Sequence, residues 1–288
     1  MSSRPPFRLT VFVCGAASIG FSAALGAHDT WLLANRGNVP VGGTITLDMS
    51  SGGRFPASET AILPARVAQA QWRLSGASHP LQTVGRQAGA LRFRATLTAG
   101  GVATLWVSLH PKVLTLKPSL VQEYTSEIGA PPEIFEGWQR ATDKTWRERY
   151  SKHAKSFVRV GTSAATDTSW SVRTGQPYEL VPLQNPTALA AGDTLGVLAL
   201  RCGQPQANIA IGVQSAATGH GAIVKTDANG KARVTFARAG RWLVTSTSLS
   251  RADRAGSVCE PPVAGDTVTV GYVSEFATMT LDVARRAK

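Results

Sequence analysis

The chain has 288 residues, of which 17% are charged, and its formal net charge is +12. Such a basic balance suits acidic surfaces, lipid headgroups or anionic glycans, and it does not by itself indicate a fold. The basic residues are scattered along the chain, and the export predicted below also argues against a nucleic-acid partner. No Gly-x-Ser-x-Gly elbow, His-Glu-x-x-His pair, Walker loop or Cys-x-x-Cys motif occurs, so the sequence predicts no enzyme.

Residues 1–27 have the pattern of a signal peptide. Arg4 and Arg8 form a basic start, Leu9 to Leu25 is uncharged, and small residues follow at the end. This order is typical of a secretion signal, and the apolar part is short for a membrane-spanning helix. The sequence therefore predicts export to the periplasm without a stable membrane anchor. Cys14 raises the alternative of a lipoprotein, but the residue before it, Val13, is bulkier than the residue usual at that position.

The cleavage point has two candidates. Small-x-small spacing favours a cut after Gly26, whereas the family resemblance described below favours a cut after Ala27, which leaves His28 at the terminus. Removal of the leader takes away Cys14 and leaves Cys202 and Cys259. An even pair in an oxidising compartment predicts a disulfide between them.

Residues 28–118 read as an N-terminal β-sandwich domain. Apolar and polar residues alternate with period two in several short segments separated by turn residues. The segments are Thr44–Met49, Gln71–Leu74, Leu91–Leu97 and Ala103–Leu109.

Residues 119–160 are predicted to be a helical segment that joins two domains. Leu120 to Ile128 forms a short helix ended by Gly129, and a longer helix begins at Pro131-Pro132. Its apolar face is predicted to carry Ile134, Phe135, Trp138, Ala141, Trp146, Tyr150 and Ala154. Its opposite, solvated face is predicted to carry Arg140, Lys144, Arg147, Lys152 and Lys155, with His153 in the same helix.

Residues 161–288 read as a C-terminal immunoglobulin-like β-sandwich domain, because at least seven strand segments follow one another. They are Tyr178–Pro182, Thr194–Leu200, Ile209–Val213, Ala222–Lys225, Ala232–Phe236, Arg241–Thr245 and Ala277–Val283. Thr226 to Gly230 resembles a calcium loop but lacks its final acidic ligand. We therefore interpret it as a hairpin turn with Gly230 at positive φ.

His28 is the candidate metal ligand, with Asp29 beside it. At a mature terminus, the α-amine of His28 and its own imidazole Nδ1 can close a six-membered chelate, and nitrogen donors suit Cu(II) and Ni(II). Asp29 supplies a carboxylate oxygen. The alternative is structural: the segment is only a first β-strand that buries Trp31 and Leu33.

The other histidines have no spacing that groups them as ligands on one helix or strand. His79 and His110 each precede a proline, and His220 lies between two glycines. A second ligand is therefore open among His110, His153 and His220. Three classes of function stay open: metal binding or delivery, a non-catalytic module that binds a glycan or partner protein, and, with the least support, a hydrolase.

The ordered motifs of the chain resemble a family of periplasmic proteins built on the domain of unknown function DUF4198. The resemblance rests on Ala27-His28-Asp29-Thr30-Trp31-Leu32, Tyr150–Gly161, Glu179–Pro186, Ala191–Asp193, Gly203–Pro205, Thr226–Ala232 and Gly240–Leu243. It covers essentially the whole mature chain. Ala34-Asn35 departs from the acidic residue and proline that often follow the opening motif.

The resemblance implies a β-sandwich protein of the periplasm. Some members are associated with nickel or cobalt uptake, so it also implies a bound Ni, Co or Cu ion and a metal-uptake transporter or another envelope protein as partner.

Overall fold

The structure is a computed structural model that describes residues 28–162, 167–253, 259 and 269–287. The predicted signal peptide, including Cys14, lies outside the described residues. No helix within the described part of the chain is long and apolar enough to cross a membrane. The strands of the first half are β1 (Asp29–Ala34), β2 (Asn38–Val39), β3 (Gly43–Gly52), β4 (Thr60–Ala61), β5 (Val67–Leu74), β6 (Ala77–Pro80), β7 (Gln82–Gln87), β8 (Ala90–Leu97) and β9 (Gly101–Leu116).

Two short helices, α1 (Val121–Glu127) and α2 (Pro132–Arg140), separate these strands from the second half of the fold. The remaining strands are β10 (Trp146–Val160), β11 (Tyr178–Pro182), β12 (Thr194–Arg201), β13 (Gln204–Pro205), β14 (Ala210–Ser215), β15 (Gly219–Lys225), β16 (Lys231–Thr235), β17 (Gly240–Arg251) and β18 (Tyr272–Val283).

The strands form three sheets. The N-terminal sheet has the order β1-β3-β8-β7, with β4 paired to β3. The central sheet has the order β15-β14-β17-β18-β10-β9-β5-β6, with β2 paired to β10. The C-terminal sheet contains β11, β12 and β13 in that order, with β16 paired to β12. Most pairs are antiparallel, but β10 and β18, at the middle of the central sheet, run parallel.

Two hydrophobic cores lie on opposite faces of the central sheet. Ala154 and Val158 of β10 join the core shared with the N-terminal sheet, which also contains Leu47 and Phe93. Phe157 of the same strand joins the core shared with the C-terminal sheet. Because successive side chains of a strand point to opposite faces, a single strand serves both sandwiches. A third cluster packs α1 and α2 against the central sheet through Val121, Ile134 and Trp138, among others.

The predicted fold class is therefore confirmed: the protein is mainly β, with two sandwiches and few helical residues. The predicted strand segments all lie in observed strands or overlap them. The division at residues 118 and 160 stays a prediction, and strands of the central sheet lie on both sides of each boundary.

The prediction of a long helix through Ala154 is wrong. The helix α2 ends at Arg140, and Trp146–Val160 forms strand β10. Trp146, Tyr150 and Ala154 are spaced by four residues, which puts them on one face of a helix and equally on one face of a strand. The predicted solvated face is wrong at Lys155, which is buried together with His153, whereas Arg140, Lys144 and Arg147 are exposed.

Two predicted turns are confirmed. Gly129 follows the end of α1 with φ near +63°, and Gly230 closes the turn between β15 and β16 with φ near +73°. Both values lie in the left-handed region that glycine adopts without a Cβ penalty.

The predicted disulfide is also present. Cys202, in the turn between β12 and β13, is bonded to Cys259, with Cα atoms 5.2 Å apart. That separation lies within the range that unstrained disulfides require.

Candidate functional site

The first strand is held by side chains of the central sheet. One edge of β1 pairs with β3, and alternate carbonyl groups on its other edge accept hydrogen bonds from β10 and β18. We call these three donors the β1 clamp: Lys152 Nζ bonds the His28 oxygen (2.5 Å), Thr278 Oγ1 the Thr30 oxygen (2.6 Å) and Thr280 Oγ1 the Leu32 oxygen (2.6 Å). The clamp satisfies carbonyl groups at a buried edge and fixes the position of His28.

His28 lies directly before β1, and its imidazole contacts a carboxylate. Its Nε2 is 3.1 Å from Oε2 of Glu59, and both side chains are partly exposed. Glu59 is itself oriented by the backbone N–H of Gly53, which donates to its other oxygen, Oε1, at 3.2 Å. A carboxylate can only accept, so the contact places a proton on Nε2. In the neutral ring, this leaves the lone pair on Nδ1.

Asp29 faces the central sheet. Its Oδ2 accepts a hydrogen bond from Nε2 of Gln214 on β14. Burial lowers the pKa of the Lys152 ammonium to about 8, and the nearby negative charge of Asp29 partly offsets that effect. Asp29 therefore helps to keep Lys152 charged beside the start of β1.

The side chain of His153 is not placed to bind a metal ion together with His28. It is buried, its Nδ1 lies 3.1 Å from Ser108 Oγ, and its Nε2 lies 3.0 Å from Ser151 Oγ. Burial lowers its pKa to about 3. Both ring nitrogens are thus used by serine hydroxyls, and the predicted place of His153 in a surface helix is wrong, because it lies buried in β10.

The remaining histidines are dispersed over the central sheet. His79 on β6 stacks on Trp72, with ring centroids 4.5 Å apart. His110 lies within β9 and is exposed. The backbone of His220 on β15 pairs with Gln214, the residue that holds Asp29.

The structure brings His28 together with Glu59, but it assembles no larger ligand set among the residues it describes. No group of three or more His, Cys, Asp or Glu side chains with metal-binding geometry occurs in that part of the chain. Sequence reasoning missed Glu59 and Gln214, which lie 31 and 185 residues from their partners. No local pattern marks such distant contacts.

The sequence also gave no sign of two buried polar groups on β10. Glu148 accepts hydrogen bonds from Tyr124, Trp146 and Ser274, and burial raises its pKa. Lys155 forms an ion pair of 2.9 Å with Glu179 on β11. Each group is enclosed by its own partners, so we assign both to the structure of the central sheet.

Solved structures give distant likenesses. The adhesin InvE of Yersinia pseudotuberculosis is 13% identical over 75% of this chain and 54% of the adhesin chain, with a TM-score of 0.21. Murine CEACAM1b is 8% identical over 90% of this chain and all of its own, with a TM-score of 0.20. A Salmonella alpha-2-macroglobulin is 11% identical over 87% of this chain and 14% of its own, with a TM-score of 0.22.

Among curated proteins, no sequence matches the chain. The model of one family, described as a domain of unknown function (DUF4198), matches residues 25–248, which is most of the chain and includes every strand from β1 to β16 and most of β17. The chain belongs to the DUF4198 family.

Proposed function

We propose that the protein is an exported, periplasmic metal-binding protein that holds Ni, Co or Cu at a mature N-terminal His28. The chelating atoms are the α-amine and Nδ1 of His28, and Asp29 lies beside them as a carboxylate. The proposal gives the protein no catalytic role. Its partner is a metal-uptake transporter or another protein of the cell envelope.

The contact between His28 and Glu59 carries the proposal. Histidines that bind metals usually donate their second ring N–H to a carboxylate or carbonyl, which fixes the tautomer and the ring orientation. Glu59 contacts Nε2. The nitrogen that keeps its lone pair in the neutral ring is then Nδ1, which is the one that forms a six-membered chelate with the α-amine of the same residue.

The β1 clamp adds rigidity to the same position. Because Lys152 holds the carbonyl oxygen of His28, the backbone of the proposed ligand is fixed before an ion arrives. A fixed ligand loses less conformational freedom on binding. The neighbouring ammonium repels a cation, and the carboxylates of Asp29 and Glu59 oppose that repulsion.

The test is isothermal calorimetry with Ni(II) and Cu(II) on three forms of the protein at pH 7.5. They are the form that begins at His28, its His28→Ala variant and a form with one glycine added ahead of His28. The added glycine keeps the imidazole but moves the α-amine, so it separates the chelate from ordinary histidine binding. We expect tight binding to the first form only, and weaker binding at acidic pH, where protons compete with the metal ion for nitrogen ligands.

A fourth variant, Glu59→Gln, tests the carboxylate, and His110→Ala serves as a control at an exposed histidine of β9. Loss of a carboxylate partner of a metal-bound histidine typically weakens affinity by about 10- to 100-fold. We expect that loss for Glu59→Gln and none for His110→Ala. Equal binding by all forms, or by none, would show that the chelate is not the site.

The second candidate function is a non-catalytic module that binds a partner protein or a glycan. One observation favours a protein partner: β15 lies at an edge of the central sheet, and its Ile223 is 72% exposed. An open edge accepts an added strand through its backbone groups. By contrast, the large hydrophobic side chains that are exposed in the described residues are all aliphatic, so they offer a glycan no aromatic platform.

A further inference from the structure

A cleft of about 520 Å³ lies on the C-terminal sheet, away from β1. It runs between the segment that follows β11 and the turn that joins β15 to β16. Its walls include Leu183, Gln184, Gly196, Lys225, Lys231 and Arg233. No part of the proposed metal site contributes to it.

Three basic side chains surround this cleft. Lys231 and Arg233 pair with Leu198 and Gly196 of β12, so they lie two residues apart on the same face of β16. Lys225 ends β15, on the other side of the turn. All three are exposed, and the ion pairs seen among the described residues involve none of them. Their charges are therefore available to a ligand.

Asp227 also lines the cleft, and backbone N–H groups of the turn bind one of its carboxylate oxygens. Oδ1 of Asp227 accepts the backbone N–H groups of Asn229 and Lys231, at 2.8 and 2.9 Å. The carboxylate is thus directed toward the backbone of the turn. Together with the three cations, it leaves a net charge of about +2 at the cleft.

The floor of the cleft includes a glycine, Gly196, whose missing side chain keeps the floor open. A Cβ built on Gly196 would lie 3.1 Å from Leu183 and 3.3 Å from Nε2 of Gln184. The backbone of Gly196 is held by Oε1 of Gln184, at 2.6 Å, which directs the amide NH₂ group along the floor. The glycine therefore leaves room between an apolar wall and a hydrogen-bond donor.

We propose that this cleft binds a small polar molecule that carries a phosphate monoester. A phosphate with nearly two negative charges matches the charge of the cleft better than a carboxylate does, and the guanidinium of Arg233 can bind two of its oxygens at once. The cleft is open to solvent on one side, and its volume exceeds that of a phosphate group. The rest of the ligand contacts Leu183 and the amide of Gln184.

The test is calorimetry with glucose 6-phosphate, glucose and inorganic phosphate on the leaderless protein, at low and at physiological salt. The variant K231Q/R233Q removes two charges of the cleft. Its matched control, R86Q/R94Q, removes two exposed charges of β7 and β8, on the N-terminal sheet. We expect binding of glucose 6-phosphate by the wild type and the control, at least tenfold weaker binding by the cleft variant, and no binding of glucose.

Three results would overturn the proposal. The first is no binding of glucose 6-phosphate to the wild type. The second is an equal loss in both variants, which would show that only net charge matters. The third is binding to phosphatidylglycerol vesicles that depends on Lys231 and Arg233 while glucose 6-phosphate does not bind, which would make a membrane surface the partner. Circular dichroism of both variants checks that these exposed substitutions leave the fold intact.

Discussion

At the scale of single residues, the central strand β10 carries polar groups that are enclosed on all sides. Burial raises the pKa of Glu179, but the charge of Lys155 and the hydrogen bonds from Thr174 outweigh that effect, so its pKa lies below the ordinary value. The charged carboxylate of Glu179 is therefore favoured, whereas burial lowers the pKa of the Lys155 ammonium and the charge of Glu179 only partly offsets that effect. Removing one partner of such a pair leaves an uncompensated buried charge, which typically costs about 3–5 kcal/mol.

His153 makes the stability depend on pH. An unfolded histidine binds a proton near pH 6.5, whereas His153 in the folded protein has a pKa of about 3. As the pH falls through 6.5, only the unfolded state takes up this proton, so the free energy of unfolding decreases. Between pH 7 and 5 the loss is about 2 kcal/mol. We expect His153→Gln, which keeps a hydrogen-bonding side chain, to remove this part of the slope.

The measurement is urea unfolding of the wild type, His153→Gln and His110→Gln at several pH values between 7 and 5. His110→Gln is the control, because it makes the same substitution at an exposed position of β9. The difference between His153→Gln and the wild type should shrink as the pH falls, and the control should run parallel to the wild type. Parallel curves for His153→Gln would contradict the argument.

The sequence indicates His28 as a candidate ligand, but it does not indicate which residues contact His28. The predicted leader ends beside it, and the chemistry of an imidazole follows from the residue type alone. Glu59 and the β1 clamp come from loops and strands far along the chain, and only the folded topology brings them together. The burial of Lys155 was not predictable either, because the sequence around a lysine does not show that an acidic residue elsewhere in the chain will pair with it inside the fold.

At the scale of elements, β10 shows where reading by periodicity fails. Strands with one solvent-exposed face, such as β8, alternate clearly between apolar and polar residues, and they were predicted from that pattern. β10 is buried on both faces, and its second face is lined by polar residues that pair within the fold, including Ser151, His153 and Lys155. An apolar residue every four positions then fits a helix as well as a strand.

At the same scale, the disulfide makes a contribution to the unfolding free energy that can be measured. Cys202 and Cys259 are 57 residues apart, so the bond restricts a long loop of the unfolded chain. We expect the double variant C202S/C259S to lose about 2–4 kcal/mol of unfolding free energy. Urea unfolding with and without dithiothreitol checks it: reductant should lower the midpoint of the wild type and leave the variant unchanged. An equal response in both proteins would contradict a stabilising bond.

At the scale of the whole molecule, the two sandwiches share the central sheet. The parallel pairing of β10 with β18 runs from Glu148 beside Tyr272 to Ser156 beside Thr280, so neither sandwich is complete without strands of the other half. Such sharing favours unfolding as one cooperative unit instead of two independent domains.

We expect a core substitution in either sandwich to shift the same transition. Leu105→Ala lies in the core of the N-terminal sandwich and Met279→Ala in the core of the C-terminal one, and both residues are fully buried. Each should cost about 2–5 kcal/mol. Far-ultraviolet circular dichroism and tryptophan fluorescence should give coincident single transitions for both variants. A transition that splits in one variant would show that the sandwiches unfold separately.

The β1 clamp also has a consequence for the order in which the protein is made. Thr278 and Thr280 hold carbonyl groups of residues 248 positions earlier in the chain. During synthesis β1 emerges well before β18, which carries two of the donors on its outer edge. A chain that stops before β18 therefore leaves His28 without its full support. The outer edge of β1 is thus completed only after β18 has been made.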